Sequence, residues 1–268
     1  MNKQAYMQLK ILIKVLIALC IVTISGTFAY ANIQTQGSPA GIVVPPEVNS
    51  NSLYSSNNRE SKLSEQGMSG FVTLDSSQTS ENNLKYAEAF NDRGIVYAEK
   101  KQFNLAISEF NKALEAHPAY ATAYNNRGIT YAKTRQFDYA ISDFNKALEI
   151  RPIHADAYKN RGTAYAEKGE FDYAIRDFSK AVILKPEFAD AYFGRGLANA
   201  AIGQLDYAIL DFNQVIEIAP THTKAYVSRG ILQVRLSQTS KACSDWEGAC
   251  KYGDCYFIKK AKKDDLCE

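Results

Sequence analysis

From Ala87 onward the apolar residues follow a pattern that returns every 34 residues. With Ala87 as position 1 of the first copy, the copies run Ala87–Tyr120, Ala121–His154, Ala155–Phe188, Ala189–His222 and Thr223–Tyr256. An aromatic ring stands at position 4 in each (Phe90, Tyr124, Tyr158, Tyr192, Tyr226), and glycine stands at position 8 (Gly94, Gly128, Gly162, Gly196, Gly230). In the second half alanine holds position 20, an aromatic holds position 24 (Phe110, Phe144, Phe178, Phe212, Trp246), and a small residue holds position 27. Steps of three and four residues mark one face of a helix, so each copy predicts two helices. Pro118, Pro152, Pro186 and Pro220 at position 32 stop the second helix of the first four copies. Glycine inside a helix costs roughly 1 kcal/mol against alanine. Its presence in every copy predicts that the two helices approach closely there, with Ala at position 20 opposite and the aromatics filling the space above. A fixed period of this length is the signature of a repeat array.

Small, aromatic and proline positions at these spacings resemble the tetratricopeptide repeat. The resemblance covers Ala87–Tyr256, within a repeat domain drawn at 84–256, and implies an all-α fold, a right-handed superhelical solenoid of helix–turn–helix repeats. The fifth copy departs from it, with Gln233 at position 11 and Asp254 in place of the proline. The family's first helices line a concave face, which implies a groove at positions 5 and 9: Asn91, Ile95, Asn125, Ile129, Lys159, Phe193, Leu197, Val227 and Ile231. Position 9 of the third copy is Thr163, and position 12 adds Ala98, Ala132, Ala166, Ala200 and Val234. The implied ligand is a peptide gripped by apolar contacts around Phe193, Leu197, Val227 and Ile231, with the asparagines bonding its backbone. The subtype that grips chain-terminal carboxylates needs Lys and Asn where Asn91 and Ile95 stand, so that partner is discounted.

One departure is charged. Position 7, usually aliphatic in the family, is Arg93, Arg127, Arg161, Arg195 and Arg229, and position 23 is Glu109, Asp143, Asp177, Asp211 and Asp245. With position 8 packed on position 20, these side chains come within reach of each other. They are expected to form a ladder of Arg–carboxylate pairs, within or between repeats, because the guanidinium offers a bidentate fork. A basic groove for phosphate or acidic peptides is the rival reading, and five matching acids weigh against it.

Cys243, Cys250, Cys255 and Cys267 crowd the end of the chain. Cys243 and Cys250 replace apolar residues that a following repeat covers, and a solenoid end needs a cap. Seven residues of helix separate them by about 10 Å, too far for a mutual bond. Two pairings remain: Cys243–Cys255 with Cys250–Cys267, or Cys243–Cys267 with Cys250–Cys255. Either staples the tail, 257–268, over the array's end; the alternative is four reduced thiols.

Ahead of the repeats, the apolar run Ile11–Phe28 follows a polar segment and ends in Ala29-Tyr30-Ala31, the layout of a signal peptide over 1–31. The alternative is an uncleaved membrane anchor. Residues 32–83 are rich in Ser, Asn, Gln and Gly without period and read as a linker. Export to a periplasmic or secreted location follows from the leader and suits disulfides. Over the whole chain of 268 residues the net charge is +2, but three of the 31 basic residues (Lys3, Lys10, Lys14) lie in the leader, leaving 28 against 29 acids. This balance points away from nucleic acid, and to a membrane only if the leader stays. The three histidines, His117, His154 and His222, fall in turns between repeats, and no phosphate-cradling loop or metal-ligand spacing is present. The sequence therefore predicts a non-catalytic scaffold for a protein or peptide, without cofactor or metal. The alternative is a membrane-anchored envelope assembly or chaperone factor.

Overall fold

A computed structural model describes residues 76–268 of the chain. The leader over 1–31 and most of the linker over 32–83 lie outside the described residues. Among the described residues eleven helices run in order: α1 (Ser76–Glu99), α2 (Phe103–Ala116), α3 (Ala121–Lys133), α4 (Phe137–Ile150), α5 (Ala155–Glu167), α6 (Phe171–Leu184), α7 (Ala189–Ala201), α8 (Leu205–Ile218), α9 (Thr223–Arg235), α10 (Thr239–Lys251) and α11 (Tyr256–Lys263). The first ten form five antiparallel pairs, each packed on the next, and α11 packs on α10. The architecture is an all-helical solenoid. Its first helix begins at Ser76, ahead of the expected boundary at residue 84, and is much longer than α3, α5, α7 and α9.

The ends of the helices follow from local chemistry. The residue before each proline (His117, Arg151, Lys185, Ala219) is extended, as the proline ring requires, and its N–H closes the helix on the carbonyl four residues back. Without a proline, the last pair ends differently: Gly253, at φ 103°, makes the reversal. Within each pair the turn passes through a left-handed residue at position 15. Gly169 and Gly203 take that conformation freely, while Lys101, Arg135 and Ser237 adopt it at φ of about 60°.

Packing inside each pair sharpens the expected role of position 8. Phe110, Phe144, Phe178 and Phe212 are fully or almost fully buried, and each ring lies directly against the glycine of its own pair. A methyl group on Gly128 would sit 2.8 Å from the Phe144 ring, and one on Gly196 would sit 2.8 Å from the Phe212 ring. The position-20 backbone comes next, with the Ala140 carbonyl oxygen at 3.2 Å. The glycine therefore makes room first for the aromatic at position 24 and only then for the alanine.

Gly128→Ala is expected to lower stability. Overpacking a core costs about 1–3 kcal/mol, against about 1 kcal/mol of helix propensity regained. Gly162→Ala, whose methyl would stand 3.2 Å from Phe178, should cost less. Urea denaturation midpoints of the two variants check the order.

Candidate peptide-binding face

First helices of neighbouring pairs touch one another (α1–α3, α3–α5, α5–α7) more than second helices do, so the first helices form the inner side of the solenoid. Three sets of side chains lie along them, and the structure assigns each a different task.

The first set is the arginine row. Each Arg at position 7 donates to the acid at position 23 of its own pair: Arg127 to Asp143 at 2.8 and 2.7 Å, and Arg161 to Asp177 at 2.6 and 2.7 Å. Arg195 and Arg229 hold Asp211 and Asp245 in the same way, and Arg93 holds Glu109. The remaining guanidinium nitrogen, Nη1, reaches across the joint to position 25 of the preceding pair. Arg127 donates to Asn111 at 2.6 Å, Arg161 to Asn145 at 2.6 Å, Arg195 to Ser179 at 3.1 Å and Arg229 to Asn213 at 2.5 Å. Each guanidinium also lies over the ring at position 4, as Arg127 does over Tyr124 at 5.5 Å. Burial works against the charge of Arg127, yet Asp143 outweighs it and holds that guanidinium above its ordinary range. The pairs lie within repeats, the extra bonds lie between them, and the acids are buried.

The second set corrects the expected groove. Asn91 and Asn125 are buried, and their side-chain oxygens accept from Asn126 at 2.9 Å and Asn160 at 3.1 Å, one pair along. Those amide oxygens are committed to stacking, so they do not face a ligand as expected. The row stops where Lys159 and Gly194 replace asparagines. Val227 and Ile231 are likewise buried, in one cluster with Trp246, Ala249, Ile258 and Ala261, and so are core residues rather than groove floor. Phe193 is partly covered by Phe212 and by the His222 ring, 4.8 Å away.

The third set is less fully covered: Ile95 and Thr163 at position 9 are exposed, while Ile129 and Leu197, like Ala98, Ala132, Ala166 and Ala200, are half-buried. Lys159 lies beside them, partly exposed. This is a shallow apolar strip without a general acid, base or nucleophile in its lining. Among the described residues no group of three His, Cys, Asp or Glu side chains is placed to hold a metal ion.

Family models for the tetratricopeptide repeat match residues 121–154, 155–188 and 189–222, and a related TPR model matches 94–134. Residues 94–222 are tetratricopeptide repeats. The fifth helix pair lies beyond the matched residues. Among solved structures, the chain is similar to that of MamA, at 28% identity over 63% of this chain and 96% of that one, with a TM-score of 0.57. It is also similar to YrrB, described as a TPR protein with an unusual peptide-binding site, at 25% identity over 70% and 97% of the two chains, TM-score 0.57. PilF of Pseudomonas aeruginosa shares the fold at 17% identity, 69% and 88% coverage and TM-score 0.62. No curated protein matches the chain in sequence.

The two cysteine pairings left open by the sequence resolve to one in the structure. Cys243 is bonded to Cys267 (Cα–Cα 5.7 Å), and Cys250 is bonded to Cys255 (Cα–Cα 4.0 Å). Phe257, Ile258 and Ala261 of α11 close the apolar end of the last repeat, with Phe257 stacked on Trp246. His154 and His222 have a role the sequence did not show. Each caps the helix that follows it, its Nδ1 accepting from Ala157 N–H at 3.3 Å and Ala225 N–H at 3.1 Å respectively.

A double-mutant cycle on Arg127 and Asp143 is expected to show coupling of about 1.5–3 kcal/mol, the range for hydrogen bonds to charged groups. The same cycle on Arg93 and Glu109, where the arginine side chain is 58% exposed rather than 19%, should fall below about 1 kcal/mol. Denaturation midpoints of the single and double alanine variants give both.

His222 adds a pH dependence. Burial, set against smaller opposing effects that include Asp190, pushes its imidazole below the ordinary histidine range. The folded chain therefore binds fewer protons there than the unfolded chain, and stability falls as pH drops below about 6.5 toward the folded value. His222→Asn keeps a capping acceptor without titrating. Between pH 7.5 and 5 its melting temperature should fall less than that of the parent.

Proposed function

We propose that this chain is a non-catalytic scaffold that holds a protein or peptide along the inner face of its repeat array, outside the cytoplasm. The observation that carries the reading is the row Ile95, Ile129, Thr163 and Leu197 over its floor of alanines, in which Ile95 and Thr163 are exposed and Ile129 and Leu197 half-buried. The neighbouring polar and apolar positions are consumed by stacking, yet this row on a rigid frame keeps part of its surface within reach of a partner. Such a strip gives little directional bonding and suits the apolar face of a helix or extended segment. YrrB, a similar array, is described as having a peptide-binding site, which supports a peptide as the class of ligand. The leader ending at Ala31 and the paired cysteines support an oxidising compartment.

Ile95→Asp combined with Thr163→Asp, both at exposed side chains, should abolish capture of the partner from an envelope extract while the melting temperature stays within a few degrees of the parent. Retained capture by the folded variant would reject the inner face as the site. Intact mass of the exported protein should begin at Asn32. A mass that still includes the leader would select the alternative, an assembly or chaperone factor anchored in the membrane.

A further inference from the structure

The two ends of the array are unequal. Along the internal joints three contacts recur between a first helix and the second helix before it, the second of them at all four joints. Position 3 packs near position 28 (Ala123 with Leu114, Ala191 with Val182), position 7 bonds position 25 (Arg127 with Asn111), and position 10 packs near position 21 (Ala164 with Ile141, Leu232 with Ile209). In the first pair the same three positions are Ala89, Arg93 and Val96, and all are exposed. Val96 is 46% exposed, whereas its counterparts Thr130, Ala164, Ala198 and Leu232 are 4% or less. Arg93 makes its own-pair bond to Glu109, but among the described residues no preceding helix offers a position 25 to its Nη1. The first helix thus presents a complete half of a repeat joint.

The missing half is a helix with an apolar residue, a hydrogen-bond acceptor four residues later and an apolar residue three after that. Between the expected leader and the first helix, residues 32–75 have no proline-free stretch with that spacing. The last repeat does: Cys243, Glu247 and Cys250 occupy positions 21, 25 and 28 of α10. Glu247, exposed, stands where the internal joints have Asn or Ser, and as a carboxylate it suits Arg93 better than those do. Both flanking positions are cysteines: Cys243 is tied to Cys267 in the tail and Cys250 to Cys255 just ahead of α11, and together the disulfides hold α11 and the tail against α10 in the place a following helix takes.

We propose that the α1 face of one molecule receives the α10 face of a second copy, head to tail, when the tail disulfides are opened. Opening is reduction by a dithiol: each disulfide takes up two electrons and two protons, giving two thiols, and the dithiol closes to its own disulfide. Reduced Cys243 and Cys250 are small and apolar, as the joint requires at positions 21 and 28. The contact is heterologous and does not close on itself, so the product is a series of oligomers rather than a fixed dimer. The closed staple holds the protein monomeric and leaves α1 open.

Light scattering coupled to size exclusion tests this on the full chain at several concentrations, oxidised and with dithiothreitol, with helix content followed by circular dichroism. The oxidised protein should be a monomer. The reduced protein, and the Cys243→Ser, Cys267→Ser double variant without reductant, should show a concentration-dependent ladder of masses. Val96→Asp, on an exposed residue, should reduce assembly at least tenfold in concentration, and Arg93→Glu paired with Glu247→Arg should restore what Arg93→Glu alone removes. A folded monomer in both opened forms, assembly indifferent to Val96→Asp, or loss of helix content on opening would each overturn the proposal.

Discussion

Each joint of the array rests on the arginine at position 7. Its guanidinium has three hydrogen-bonding nitrogens, and the fold uses all of them in the internal repeats. Two meet the buried acid of the same hairpin, and one crosses to the hairpin before. A single planar group therefore sets both the distance between the two helices of a pair and the register of the next pair. Lysine, a point charge without a fixed fork, satisfies only part of this geometry. The acids are able to remain buried because each faces that fork, and the polar row holds register where apolar packing alone permits sliding.

Around this row the remaining residues divide their work. Glycine at position 8 admits a phenylalanine ring, which fills each hairpin from within. Alanines at position 3 and small or apolar residues at position 10 let the next hairpin approach. Asparagines at positions 5 and 6 add a second polar rail through the first three pairs. What is left along the first helices at positions 9 and 12 is a narrow, mostly apolar strip. The same stacking logic exposes a joint at one end of the array and a stapled cap at the other.

Much of this was legible beforehand. The 34-residue period, the pair of helices per copy and the Arg–acid correspondence are local or periodic features, and periodicity survives translation into space without further information. The cysteine pairing was narrowed to two by the rise of a helix, and the tail's path selected one. The groove was less legible. Asn91 and Asn125 read as ligand-facing by position, yet their amides are taken by Asn126 and Asn160, a contact between residues 35 apart. Val227 and Ile231 read as groove floor, but the end of the array folds its tail against the same cluster.

By itself, then, the sequence determined the repeat, the ends of the second helices set by proline, and which charges answer each other, because these depend on spacing along one chain. Only the tertiary structure decided which inward positions stay open. It also showed that the glycine yields to a ring before it yields to alanine, and that the two histidines cap helices. Accessibility belongs to the sum of the neighbours on all sides. In a solenoid those neighbours are one repeat away, where periodicity promises equal environments and the two ends of the array withhold them.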